Sequence, residues 1–357
     1  MAINIEKILG SSRRYKAGDA TLLIPNTVTT IGEKAFFNSG IGRVKIPASV
    51  KTIGTAAFCT GALKSVTVET ENANYASVGN ALYSKKAKEL LAGSIEMTAI
   101  PEGIVSLGEF AFFDLDYVYK GGYFSCPSSL EEIKAFAFYE SENFLKGDND
   151  TCNFKNVKKI GDYAFAGVET KLNLIFGDAL NELGVGAFYK FTTYIFRGEC
   201  AIDFSRCVKL TYIPDKAFLC HGGSYDLDII LPSTIDHIGK EAFAEGTFNK
   251  IEFNGSKPST IDDRAFKKTD IFYSMNVRVL SALLANVKTI GSEAFANCTF
   301  SGDLEIPECC SFIGENAFSK ETKLKLKVQP GSYAESWAQE NGYEYDNGVK
   351  PDLSWLN

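Results

Sequence analysis

Histidine is almost absent from this chain: His221 and His237 are the only two in 357 residues. That leaves little of the side chain most used for proton transfer and metal ligation near neutral pH. His221 falls in Cys220-His221-Gly222-Gly223, a loop by composition. Adjacent residues such as Cys220 and His221 rarely face each other as a nucleophile and its base must. His237 stands just before Ile238 and reads as a surface position beside an inward one. The spacing CxxC does not occur, so the nine cysteines supply no zinc or redox motif. They read as mostly reduced core thiols, and the adjacent Cys309 and Cys310 are poorly placed to bridge each other. The GxGxxG and P-loop patterns are absent, which removes support for nucleotide binding. The acidic run at Asp148 opens like a calcium loop but has Asn153 and Lys159 where glycine and glutamate are needed. No apolar run approaches eighteen residues, so no transmembrane segment is expected. A net charge of −7 provides no basic stripe for phosphates, which excludes nucleic acid. No cofactor, no metal and no catalysis are expected.

What the chain has in quantity is one phrase. An aliphatic residue, a few small or polar residues and then Ala-Phe recur eleven times, ending at Phe36, Phe58, Phe112, Phe138, Phe165, Phe188, Phe218, Phe243, Phe266, Phe295 and Phe318. The intervals are 22, 54, 26, 27, 23, 30, 25, 23, 29 and 23 residues. Self-similarity at such a period marks a solenoid, whose units bury their apolar faces only against neighbours. The intervals well above 23 mark insertions, which in a solenoid map to its rim.

The unit Ile41 to Phe58 shows the physics. Ile41, Val44 and Ile46 have the spacing of a leucine-rich-repeat strand, with Val44 and Ile46 inward and Arg43 and Lys45 outward. Pro47 cannot donate to a ladder and ends the strand. Val50 and Ile53 return apolar groups to the interior, Gly54 is read as permitting a tight turn, and Ala57-Phe58 closes the coil. The same reading makes strands of Leu172 to Phe176, Asp228 to Leu231, Val277-Arg278-Val279 and Asp303 to Ile306. Lys134, Pro214 and Asp262 replace the glycine, which predicts locally altered turns. The sequons are at Asn149, Asn254 and Asn297, the last inside a repeat where a glycan is not expected to fit.

The run Ile46-Pro47-Ala48-Ser49-Val50-Lys51-Thr52-Ile53-Gly54-Thr55-Ala56-Ala57-Phe58 resembles the BspA-like (treponemal-type) leucine-rich repeats. The resemblance covers roughly Thr21 to Val328. Asn74 to Lys85 is similar to the hairpin insertion of those proteins, with Gly79-Asn80 at its turn, and Gly331 to Gly342 is similar to their terminal helical cap. The expected fold is a leucine-rich-repeat solenoid with a parallel β-sheet on one face, short strands, turns and short helical segments on the other, and a helical C-terminal cap. The expected organisation is an N-terminal cap or attachment segment at 1–20, a solenoid at 21–328 with a hairpin insertion at about 72–93, and a cap and tail at 329–357. The resemblance implies adhesion to host proteins or other cells.

Function is therefore sought on surfaces. Tyr117, Tyr119 and Tyr123 lie in one insertion, and Tyr194 and Phe196 follow Phe191 in another. Such rings either serve recognition or tie their loops down. The outward strand residues are the other candidates, chiefly Asn173, Ile175, Asp228, Ile230 and Arg278, on a sheet with basic ends and a more apolar or acidic middle. The partner expected is a protein or a cell-surface glycan. Met1 to Ala20 has no apolar stretch following a charged start. Either the chain is not exported by the usual route, or an export signal has been removed and it is secreted or cell-surface. A second reading makes it an adhesin of a phage tail or other assembled particle, with residues 1–20 as its attachment. An enzyme would require a cavity holding His221 or an acidic pair. Oligomeric state is not legible.

Overall fold

The computed structural model describes residues 21–97, 99–115, 126–141, 151–170, 173–193, 200–220, 227–271, 277–320 and 323–349. They fall in two compact units, Met1–Lys209 and Leu210–Asn357, each a parallel β-solenoid.

In the first unit the coil that ends at Phe58 has three walls. Arg43–Ile46 pairs in parallel with Thr21–Leu23 and Ser65–Val68, in the register Val44 to Val66. Val44 and Ile46 are buried and Lys45 is exposed, as alternation along a strand requires. The chain turns at Pro47, and the two-residue strand Thr52–Ile53 lies parallel to Thr30–Ile31. Gly54 N–H then donates to Ile31 O of the preceding coil at 2.9 Å. The third wall is the Ala-Phe step, where Phe36 N–H donates to Ala57 O at 2.8 Å.

That last bond recurs down the unit, from Phe112 to Ala137, Phe138 to Ala164 and Phe165 to Ala187, each at 2.7 Å. It carries the rings with it. Phe138 stacks on Phe165 at 4.8 Å and Phe165 on Phe188 at 5.0 Å, within 9° of parallel. Each buried ring contributes about 1.5–3 kcal/mol through burial, and offset stacking adds about 1 kcal/mol.

The repeat glycine works differently from the sequence reading. Gly54 has no left-handed backbone. A Cβ there would meet Glu33 backbone N at 2.4 Å, so the glycine lets one coil lie close on the one before. The chain reversal is made by the residue two places before each phenylalanine: Ala56, Phe136, Tyr163 and their equivalents have φ of 52° to 59°. Such a conformation costs a non-glycine residue roughly 1–2 kcal/mol. For this reason Lys134, Pro214 and Asp262 do not alter their turns. Phe136, Lys216 and Arg264 are left-handed like the rest, with φ of 57°, 58° and 58°.

The 54-residue interval contains an antiparallel meander. Tyr75–Val78 pairs with Ala81–Ser84 across Gly79 and Asn80, whose φ of 53° and 67° are those of a type I′ turn. Ala81–Ser84 pairs with Glu89–Ala92, which returns to the parallel stack beside Ser106–Leu107. Asn72, fully buried, ties the meander down. Its amide donates to Pro47 O and Val50 O, and its Oδ1 accepts from Asn74 and Tyr75 N–H.

The second unit repeats the pattern. Tyr212–Ile213, His237–Ile238, Thr260–Ile261, Thr289–Ile290 and Phe312–Ile313 form one parallel sheet, and rings stack from Phe218 through Phe243, Phe266 and Phe295 to Phe318. One coil departs from it. Val277–Leu284 is a helix, not a strand, because Leu280, Leu283 and Leu284 recur at helical spacing and bury on one side. Ser281 Oγ accepts the Glu305 N–H at 3.0 Å, a bond that a neighbouring strand would otherwise make. The other described helix, Tyr333–Asn341, is capped by Ser332, whose side chain accepts from Glu335 N–H, and closes at left-handed Gly342. It lays Trp337 over Phe318 at 6.3 Å, and Tyr343 donates its hydroxyl to Phe318 O, so the last coil is covered.

Candidate binding surfaces

The outward face of the longer strands comes first. In the first unit Asn153, Ile175 and Asp203 stand in one row, and Thr151 and Asn173 lie one register step away. Ile175 is a half-buried apolar residue between two polar ones. Asn173 does not point freely outward, since its Oδ1 accepts Ala201 N–H at 2.7 Å. In the second unit Asp228 sits beside Lys250 and Ile230 beside Glu252. Asp228 accepts from the Asn249 amide at 2.6 Å, and Lys250 pairs with Glu252.

Arg278 leaves this face altogether. It lies exposed on the helix Val277–Leu284. The sheet's C-terminal end is not basic either. Glu344–Asp346 adds a strand beside Leu324–Lys327, so Lys325 lies 3.9 Å from Glu344 and 3.8 Å from Asp346, and Lys327 lies 3.2 Å from Asp303. The added strand brings acid to base, which alternation within single repeats does not reveal. Tyr117, Tyr119, Tyr123, Tyr194 and Phe196 lie outside the described residues, as do His221 and the Asn149 sequon. Asn297 is exposed at a left-handed position, so its place in a repeat does not bury the asparagine itself.

A second surface follows the turn wall. Its residues stand two before and one after each repeat phenylalanine, and the two units fill them differently. In the first unit several of them are aromatic. Phe110 stacks on Phe136 at 4.8 Å and Phe136 on Tyr163 at 5.5 Å, with Phe113 against Tyr139 alongside. Lys34 lies over the Phe110 ring at 5.9 Å. These rings take each other's faces, so mainly edges meet solvent. In the second unit the positions carry an ion-pair ladder, with Arg264 joining Glu241 at 3.2 Å and Glu293 at 2.7 Å, and Lys267 joining Glu293 at 2.9 Å. Lys267 and Arg264 hold the Glu293 carboxyl below the usual carboxylate range. The signal for both rows was present in the sequence, at a fixed offset from Ala-Phe.

Titratable constellations are sparse. His237 Nε2 lies 2.8 Å from Asp262 Oδ2, beside the Tyr212 ring, and Tyr212 OH donates to Asp215 at 3.1 Å. Burial, with Asp215 second, raises the Tyr212 hydroxyl to about 12. Among the described residues no cluster of His, Cys, Asp and Glu fits a metal ion. The cysteines are free thiols, most of them buried; burial, with Asp203 and Asp178 adding to it, pushes Cys207 up to about 12, and burial pushes Cys310 up to about 11 against a hydrogen bond to Phe312. A cleft of about 240 Å³ opens in the first unit beside Gly54, with the Lys134–Glu89 ion pair at 2.8 Å among its walls.

Short parallel strands stacked at one register per coil, with an interior phenylalanine ladder, define a leucine-rich-repeat solenoid. Residues 17–90, 91–218, 144–271 and 211–335 match the family model described as BspA type leucine rich repeat region. The chain belongs to the BspA-type leucine-rich-repeat family.

Among solved structures it is similar to a leucine-rich repeat protein from Eubacterium ventriosum, at 20% identity and a TM-score of 0.48, covering 87% of this chain and 66% of that one. It is similar also to a leucine-rich repeat protein from Bacteroides ovatus, at 20% identity and a TM-score of 0.43, covering 91% of each chain. A leucine rich cell surface protein from Faecalibacterium prausnitzii is 18% identical with a TM-score of 0.35, covering 92% of this chain and 91% of that one. No curated protein matches the chain. Membership suggests a protein-binding or adhesion role of the kind typical of cell-surface repeat proteins, which are as a rule non-enzymatic. No helix among the described residues is long and apolar enough to cross a membrane.

Proposed function

We propose that this chain is a non-catalytic adhesion module that binds a protein displayed on another cell. The observation that carries the reading is the open row Asn153–Ile175–Asp203, where a half-exposed isoleucine is framed by polar side chains on a rigid parallel ladder. An apolar anchor within a polar rim is the arrangement that protein interfaces favour. Tyr117, Tyr119, Tyr123, Tyr194 and Phe196 of the insertions are proposed to contribute to the same binding.

The test measures retention of the purified chain on intact epithelial cells, before and after protease treatment and before and after glycosidase treatment. Ile175→Arg is expected to weaken binding at least about tenfold, the effect of a contact worth about 1.4 kcal/mol. Tyr194→Ala with Phe196→Ala is expected to weaken it further. Retention that survives protease but not glycosidase would make the ligand a glycan. Retention unchanged by all three substitutions would refute the face.

A further inference from the structure

The cleft beside Gly54 has a cause that can be read from the repeat's own hydrogen bonds. Elsewhere the chain takes five residues from the aliphatic position to the phenylalanine, as from Ile31 to Phe36. In the coil that follows the meander, Leu90 occupies the aliphatic position, since its carbonyl accepts Gly108 N–H at 2.8 Å. Gly93 occupies the phenylalanine position, since its N–H donates to Ala111 O at 2.7 Å. From Leu90 to Gly93 it takes only three. Over this stretch the coil is two residues shorter than its neighbours, and no residue from Leu90 to Gly93 is left-handed. A side chain at Gly93 would also strike the Phe112 ring, at 2.3 Å from Cε1.

The consequence falls on the coil before. Lys34 and Phe36 donate their N–H groups to Thr55 O and Ala57 O, and Phe136 and Phe138 donate theirs to Asp162 O and Ala164 O. The equivalent donors next to the short coil are Ala56 and Phe58, which have no hydrogen-bond partner among the described residues. Both residues are almost wholly buried and both line the cleft. A buried, unsatisfied N–H is costly and such groups are rare. The facing wall carries Leu91, Gly108 and Glu109, and the ionic groups there, Glu89 and Lys134, are already paired. A wall of two amide donors beside a neutralised ion pair complements a peptide backbone better than an ion. It asks for two carbonyl oxygens two residues apart, as Asp162 and Ala164 supply one coil further on.

We propose that this cleft is a second binding site, separate from the sheet face, which takes an extended peptide segment of a partner protein as the surrogate for the shortened coil's turn. The probe is the blocked peptide acetyl-Gly-Asn-Ala-Gly-amide at millimolar concentration, followed by NMR and amide hydrogen exchange on the full chain. Exchange at Ala56 and Phe58 is expected to slow by about tenfold, the factor for one net hydrogen bond. A variant with Gly-Asn inserted between Leu91 and Ala92 restores the repeat length. It is expected to protect both amides without peptide and to lose the response. Shifts confined to other residues, or an insertion variant that responds as the natural chain does, would overturn the proposal. If both amides are already protected and become exposed only when residues 1–20 or 350–357 are removed, the occupant is the chain's own segment and the partner reading fails. Ile175→Arg is expected to leave the peptide response intact, which separates this site from the sheet face.

Discussion

The repeat glycine gives two substitutions at the same place in the motif that should act in opposite directions. At Gly54 an added Cβ would lie 2.4 Å from Glu33 N and 2.7 Å from Glu33 Cα, all backbone of the coil before. Ordinary contact begins near 3.4 Å, so the two coils must part by about 1 Å. The Gly54-to-Ile31 hydrogen bond, at 2.9 Å, does not survive such a shift. Overpacking of this kind costs about 1–3 kcal/mol, and the lost bond about 1 kcal/mol more. Gly32 is the same motif residue one coil earlier, has nothing within 4 Å of its Cβ position, and has no left-handed backbone. There alanine only reduces the freedom of the unfolded chain, a gain of about 0.4–1 kcal/mol.

Urea unfolding of Gly32→Ala and Gly54→Ala, followed by circular dichroism and by hydrogen exchange at Gly54 and Phe36, separates the two. Exchange localises the loss to the coil, which matters because solenoids need not unfold in one step. A close approach of the Gly54 coil to the one before is ruled out if both alanines shift the midpoint the same way, or if Gly54→Ala costs less than about 0.5 kcal/mol, the usual range of a surface change.

Phe165 is wholly buried between the rings of Phe138 and Phe188. Phe165→Ala should cost about 3–5 kcal/mol, read as loss of exchange protection in the coils on either side. Glu293 is a carboxylate with a lowered folded pKa, so its contribution is present above the unfolded value and lost as pH falls through the folded one. Glu293→Gln should therefore reduce stability at pH 7, by less than about 1 kcal/mol for so exposed a pair. The difference should vanish below the ordinary glutamate range, as measured by thermal melts across pH. Cys126 and Cys152 hold their sulfurs 3.4 Å apart. Exchange with oxidised glutathione, two thiols forming one disulfide and releasing two glutathione thiols, should join this pair. Burial raises the Cys126 thiol, so the reaction should speed up toward alkaline pH. The closed loop should add about 3 kcal/mol, and Cys126→Ala should abolish both effects in a thiol titration.

The alternation of Val44 and Ile46 against Arg43 and Lys45, the inward phenylalanines and the stacking period all follow from apolar spacing, and spacing is written in the chain. Other features depended on what lies across the stack. Val277-Arg278-Val279 reads equally as a strand, and only the burial of Leu280, Leu283 and Leu284 against neighbours selects the helix that carries Arg278. Gly54 reads as serving its own turn because the sequence shows neighbours along the chain, not the Glu33 backbone lying beneath it.

Its recurring apolar phrase is enough to wind this chain into a phenylalanine-cored solenoid of the BspA type. A repeat needs only its own inward residues and a copy of itself to bury them. Tertiary structure alone decided where that regularity breaks and what the break exposes. The two-residue shortening between Leu90 and Gly93 becomes visible only when hydrogen-bond partners in neighbouring coils establish which residues are equivalent. Charges at the C-terminal end likewise pair only once Glu344–Asp346 is laid beside Leu324–Lys327. In a solenoid, what lies within a coil is local in sequence, and what lies between coils is not.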